Sequence, residues 1–311
     1  LTTIPDDYLI RCKYRPGKPM GEYYQGVPES PWGKVTDFYR IVSREFVGCD
    51  SERTLTCAIA PCAIAHVHAV FSACIKNCMD MVCLAGCEAS IPYDFFVKCI
   101  GKRHINYSTY MLFPLLDGER NIHIVVRTLM MNCLTTYFNS LWKDCWLEEY
   151  TLEKWSKNDL RLPQIRFSSL TQEWNWNTPL RSDYERRQAL IELDVLVAMA
   201  LGMTLGQLNT IYRIQFPILQ SYEADTWYDQ NGRIVFTNNR SLTDVGYSRP
   251  EWENGVKGAP AGQKFYRTII DDTQPGGPVE RTIEYLAPFD RCDREQDYET
   301  AWRFFEEKYG K

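Results

Sequence analysis

Residues 35–72 hold short apolar runs rich in β-branched and aromatic types, a pattern that predicts strands. Two such runs cover residues 53–60 and 65–72, with Pro61 as the break between them. From Asp80 the pattern turns helical (DMVCLAGCEAS), and YDFFVKCIG follows as a second helix. Ser90 is placed to cap that second helix, Pro92 suits its first turn, and Gly101 can end it. The segment GKRHINYSTYMLFPLL reads as extended, and residues 122–142 as one long helical stretch. Residues 156–180 are polar, contain Pro163 and Pro179, and read as a linker.

Three helix starts mark the second half. Ser182-x-x-Glu185 is a capping box before ERRQALIELDVLVAMALG, which stops at Gly202. Thr204-x-x-Gln207 opens a helix ended by Pro217, and Asp293-x-x-Gln296 opens the last one. Residues 232–237 read as a short strand, and the Gly-, Asn- and Pro-rich residues 238–280 as a long loop. The expected fold class is α+β: a mixed α/β domain over residues 1–165, then a mainly helical C-terminal region over 166–311.

At 311 residues the chain is long for one hydrophobic core and comfortable for two. Its 45% hydrophobic and 24% charged residues exclude a disordered chain. No apolar run reaches the ~20 residues that cross a bilayer, and no basic or apolar leader opens the sequence, so a cytoplasmic protein is expected. The net charge of −5 belongs to the second half: residues 1–165 balance, whereas 166–311 carry the acidic excess. Such a protein is not a non-specific polyanion binder, but the neutral half leaves room for a local basic face.

Eight of the 12 cysteines lie within residues 49–99, with His66 and His68 among them. Cys74-x3-Cys78 and Cys83-x3-Cys87 would each share a helix face, so a metal- or thiol-dependent protein is one alternative. No CxxC occurs, and a small buried hydrophobe is the plainer role for these thiols; no metal ligand is assigned. Phosphate-cradling glycine loops, GxSxG and HExxH are all absent, as is the Asp/Asn-Pro-Pro-Tyr/Phe tetrapeptide with which amino-methyltransferases hold their target amine. No catalytic residue is assigned.

Three blocks together suggest a family. Tyr39-Arg40, Arg44 and Ser51-Glu52-Arg53-Thr54-Leu55 precede an Ala/Ile-rich strand ending at Pro61. Tyr93-Asp94-Phe95-Phe96-Val97-Lys98, Gly101, His104-Ile105-Asn106-Tyr107 and Leu112-Phe113-Pro114-Leu115 follow. Glu185-Arg186-Arg187-Gln188-Ala189-Leu190-Ile191-Glu192-Leu193-Asp194 closes the series. Over residues 35–240 this order resembles the C-terminal target-recognition region of adenine-specific DNA methyltransferases, of the fused type II restriction–modification and phage-defence (BREX- and DISARM-like) kind. The resemblance implies a double-stranded DNA partner and a methyltransferase core N-terminal to this region. It further implies S-adenosylmethionine as the cofactor of the parent enzyme, with none in this chain.

A recognition module needs basic groups for phosphates and Arg, Lys, Asn, Gln or His for base edges. The candidates in the matched blocks are Arg40, Arg44, Arg53, Lys76, Lys98, Lys102, Arg103, His104, Asn106 and Tyr107. The run 102–107 is the densest. Arg53, at the start of a strand, equally suits an internal carboxylate. His66 and His68 share a strand face as structural histidines, and Arg186-Arg187 suits an ion-pair site. A third alternative is a protein-interaction module of a defence complex, using the 238–280 loop and the acidic half.

Overall fold

A computed structural model of the chain describes residues 1–9, 16–48, 51–118, 120–273 and 276–309. The fold is α+β. A short helix α1 (Met20–Gln25) and a minimal hairpin β1 (Glu29–Ser30) and β2 (Gly33–Lys34) lead into β3 (Arg40–Arg44), β4 (Cys57–Ala60) and β5 (Val70–Ala73). These last three form an antiparallel sheet with β3 in the centre, Ile41 lying opposite both Ile59 and Ala73. The helices α2 (Cys78–Glu88), α3 (Ile91–Ile100), α4 (Tyr107–Tyr110), α5 (Asn121–Asn132) and α6 (Asn139–Asp144) follow. The second half runs through α7 (Asp183–Ala200), α8 (Leu205–Gln215), α9 (Pro217–Glu223), β6 (Trp227–Tyr228) and β7 (Ile234–Phe236). It continues through α10 (Arg249–Glu251), the hairpin β8 (Lys264–Asp271) and β9 (Val279–Leu286), and α11 (Arg294–Tyr309).

The helix ends follow local chemistry. Asn77 caps α2, Gly101 closes α3 at φ +67°, and both Ser182 and Thr204 form the expected capping boxes. Ser90 precedes α3, but its hydroxyl turns back to the Cys87 carbonyl at 2.5 Å.

Other stretches differ from expectation. Residues 122–142 split into α5 and α6, because carbonyls at the break have partners elsewhere. Leu180 N donates to Met130 O at 2.8 Å, Trp174 Nε1 to Cys133 O at 2.7 Å, and Arg181 Nη2 to Leu134 O at 2.9 Å. Residues 156–180 are not a free linker, since Leu162, Phe167, Leu170 and Leu180 are buried in the main core. Residues 238–280 are not one long loop. They hold α10, a π-helical turn at 252–256 and all of β8, whose sequence KFYRTIID alternates outward and inward as one strand of a hairpin. That hairpin packs on a small second core of Val235, Phe236, Trp252, Val256 and Tyr285, where Trp252 stacks on Phe236 at 5.5 Å. The segment 101–116 is not extended throughout, because Asn106 caps α4.

The main core draws buried residues from Ile41 to Phe305, on both sides of the 165/166 boundary expected from sequence. At its centre α2 crosses α5 at Gly86, where an added Cβ would meet Thr128 Oγ1 at 2.2 Å and Ile124 Cγ2 at 2.7 Å. Replacing Gly86 by Ala is expected to destabilise the protein by about 1–3 kcal/mol through overpacking, read as a lower urea midpoint.

The helix α7 packs on α2, α3, α5, α8 and α11. Although it is buried on every side, it carries Glu185, Arg187, Glu192 and Asp194. Arg127 of α5 meets Glu192 at 2.6 Å and Glu153 at 2.8 Å, and Arg294 of α11 meets Asp194 at 2.7 Å. Arg187 reaches Asp297 at 2.6 Å and Glu223 at 3.2 Å. Changing Arg127 to Met leaves the buried Glu192 without a cation, while Glu153 keeps Lys308 and His123, so a loss of about 3–5 kcal/mol in unfolding free energy is expected from chemical denaturation.

Candidate nucleic-acid interface

Beyond Arg44 the chain bends at Glu45 and is paired on both sides. Glu45 N donates to Ala69 O at 3.1 Å, Ile105 N to Glu45 O at 2.8 Å, and Val47 N to Arg103 O at 3.0 Å. Side chains therefore alternate: Arg44 and Phe46 point outward, Glu45 and Val47 inward. The pairing brings residues 102–107 alongside, and Phe46 meets the His104 ring edge-on at 4.8 Å. The Glu45 carboxylate lies between His68 Nδ1 at 3.3 Å and His104 Nδ1 at 3.4 Å.

Asn106 is exposed but occupied: its Oδ1 accepts from Thr109 N at 3.1 Å and Ser108 Oγ at 2.8 Å, which caps α4. That cap presents Tyr107 with 71% of its surface open. Lys102 Nζ reaches Ser108 Oγ at 3.3 Å. Among the described residues no carboxylate pairs with Arg44, Lys102 or Arg103. The face thus gathers Arg44, Lys102, Arg103, His104 and Tyr107 of the ten candidates, and Asn106 shapes it.

The other four lie elsewhere. Arg53 pairs with the buried Asp94, Nε to Oδ2 2.5 Å, and donates to Ala89 O, so it holds the 51–54 turn to α3. Arg40, the first residue of β3, is buried. Lys98 lies over the Phe216 ring at 4.8 Å. Lys76 is exposed beyond Ala73, which pairs with Ile41, and so sits toward the opposite end of β3 from Arg44. His66 and His68 are not on a strand; both are exposed in the connection between β4 and β5. Arg186 donates to Met131 O at 2.9 Å, and its neighbour Arg187 belongs to the buried ion pairs.

Cys74 precedes α2, so only the Cys83/Cys87 pair shares that helix. The ten described cysteines are free thiols, Cys12 and Cys49 lying outside the described residues. Burial pushes the Cys133 thiol well up, consistent with packing rather than reactivity. Among the described residues no three His, Cys, Asp or Glu side chains converge as a metal ion requires. No described helix is long and apolar enough to cross a membrane.

Sequence reasoning missed Glu45 and Phe46, although the alternation Arg44-Glu45-Phe46-Val47 continues the strand pattern. It also missed Glu88, which lies beneath this face. Glu88 is fully buried at the end of α2 and accepts from Ser43 Oγ at 2.8 Å and Tyr110 Oη at 2.6 Å, with no cation pairing it among the described residues. Burial pushes its pKa up to about 7 against these two hydrogen bonds.

Comparison with protein-family models, curated proteins and solved structures finds no match for this chain.

Because the folded state holds the Glu88 proton more tightly than the unfolded chain does, this group's contribution to stability falls as pH rises from about 4.5 to about 7. Glu88→Gln is expected to remove that slope and to raise the melting temperature at pH 8. Thermal unfolding of both proteins from pH 5 to 8 measures it.

Proposed function

We propose that the face built from residues 44–46 and 102–107 grips double-stranded DNA. In this reading the chain is the site-selecting part of an adenine-specific DNA methyltransferase or restriction–modification enzyme, acting in the cytoplasm. The catalytic core and its S-adenosylmethionine lie on other polypeptide, and this chain alone turns nothing over. One observation carries the reading: a lateral strand pairing joins two distant stretches and sets the unpaired Arg44, Lys102 and Arg103 beside His104, Phe46 and Tyr107. Cations of this kind neutralise phosphates, a guanidinium reads guanine edge-on, and exposed aromatic rings pack against sugars or unstacked bases. The neutral charge balance of the first half keeps the attraction local, so binding is weak and falls with salt.

The flank of this face favours one competitor. Met111, Leu112 and Leu115 are each more than half exposed just beyond α4, which suits a protein partner.

Arg44→Ala and Arg103→Ala are each expected to weaken binding of a short duplex, measured by fluorescence anisotropy at several salt concentrations. An arginine that neutralises one phosphate, once removed, lowers the slope of log affinity against log salt by about one. If Arg103 reads guanine, about 1–3 kcal/mol of discrimination disappears with it. Unchanged affinity in both variants at every salt concentration overturns the proposal. Capture of a protein partner that is lost in Leu112→Ser/Leu115→Ser, with no duplex affinity, establishes the competitor.

A further inference from the structure

At the end of β3 opposite Arg44, a cavity of about 360 Å³ lies between the sheet and α1, walled by Lys18, Tyr23, Thr36, Arg40, His66 and Ser72. Its floor holds an anomaly. Arg40 is 2% exposed, and its guanidinium gives a single hydrogen bond, to the Ile64 carbonyl. Arg40 Nε makes none, and no carboxylate pairs with it among the described residues. The other deeply buried arginines do not live this way. Arg127, Arg187 and Arg294 each hold two carboxylates. Burial draws the Arg40 pKa down, whereas at Arg127 and Arg187 the carboxylates outweigh burial and raise it. A guanidinium cannot shed its proton in a protein, so a buried one without an anion is a site missing its counter-charge.

The surroundings say what that counter-charge is. Thr36 is 5% exposed in the same wall, and its Oγ1, without a hydrogen-bond partner among the described residues, can donate to an anion. Lys18 is exposed at the rim and adds positive charge, and the exposed His66 ring beside it can donate a hydrogen bond. Among the described residues Glu22 is the single carboxylate of the lining, and it suits hydroxyl groups on a ligand's far end. Val27 and Val35 supply an apolar wall. We infer that this cavity binds a small phosphate ester, the phosphoryl group on Arg40 and Thr36 and a hydroxylated, sugar-sized body toward Glu22. The burial of Arg40 favours a free small molecule over a duplex backbone, whose phosphates stay at the surface.

Isothermal titration of the whole chain at fixed ionic strength tests this, with inorganic phosphate, ribose 5-phosphate and acetate as probes. Saturable binding of both phosphates is expected, tighter for ribose 5-phosphate, with acetate far weaker. Arg40→Gln should abolish it. Should that variant fail to fold, the rim variant Lys18→Ala/His66→Ala decides, with phosphate affinity about ten-fold weaker and unfolding unchanged. No saturable phosphate binding, acetate binding as tightly as phosphate, or undiminished affinity in the rim variant overturns the inference. So does displacement of phosphate by a short DNA duplex, which would make Arg40 part of the nucleic-acid face instead.

Discussion

The structure depends on the pairing of charges that α7 carries into the interior. A helix wrapped on all sides ordinarily has an apolar surface throughout, yet α7 takes Glu185, Arg187, Glu192 and Asp194 inward. An unpaired ion there is prohibitively costly, so each one fixes the element that answers it. Arg127 sets α5, Glu223 sets α9, and Arg294 with Asp297 sets α11. Asp194 also accepts from Ile91 N at 2.7 Å, which ties α3 to the same centre. Asp94 of α3 then holds Arg53, and through it the turn that leads into β4. The exposed basic face therefore stands on a chain of ion pairs that begins far below it.

Much of the helical part was legible because its signals are local. Ser182/Glu185 and Thr204/Gln207 bond within one turn, and Gly101 adopts the backbone that ends α3 on its own account. The break after α5 was not legible, since no Pro or Gly marks Cys133 and the carbonyls there answer to Trp174, Leu180 and Arg181, about fifty residues away or fewer. The hairpin of β8 and β9 was hidden by composition. Gly, Pro and Asn crowd its surroundings, and the alternation in KFYRTIID was outweighed by them. The series Glu185 to Asp194 displays its charges openly in sequence, but nothing local says that they face inward.

The same division runs through the candidate site. Residues 102–107 are contiguous, so their density of polar groups was visible. Arg44 and Phe46 join them only through strand pairing, which sequence spacing does not record. Residue type nominated Arg40 and Arg53 alongside the surface cations, because an arginine looks alike whether it meets solvent, an aspartate or an empty cavity. The structure separates all three cases: Arg44 is open, Arg53 is on Asp94, and Arg40 faces a hollow.

The last helix has a bearing on how the chain comes off the ribosome. Partners for Asp194, Arg187 and Glu153 lie on α11, at Arg294, Asp297 and Lys308. Until those residues emerge, Asp194 lacks Arg294 and Arg187 holds one of its two carboxylates, so the interior around α7 is unfinished. Synthesis in the N-to-C direction thus leaves α7 waiting for α11, a state in which chaperones and proteases compete with completion.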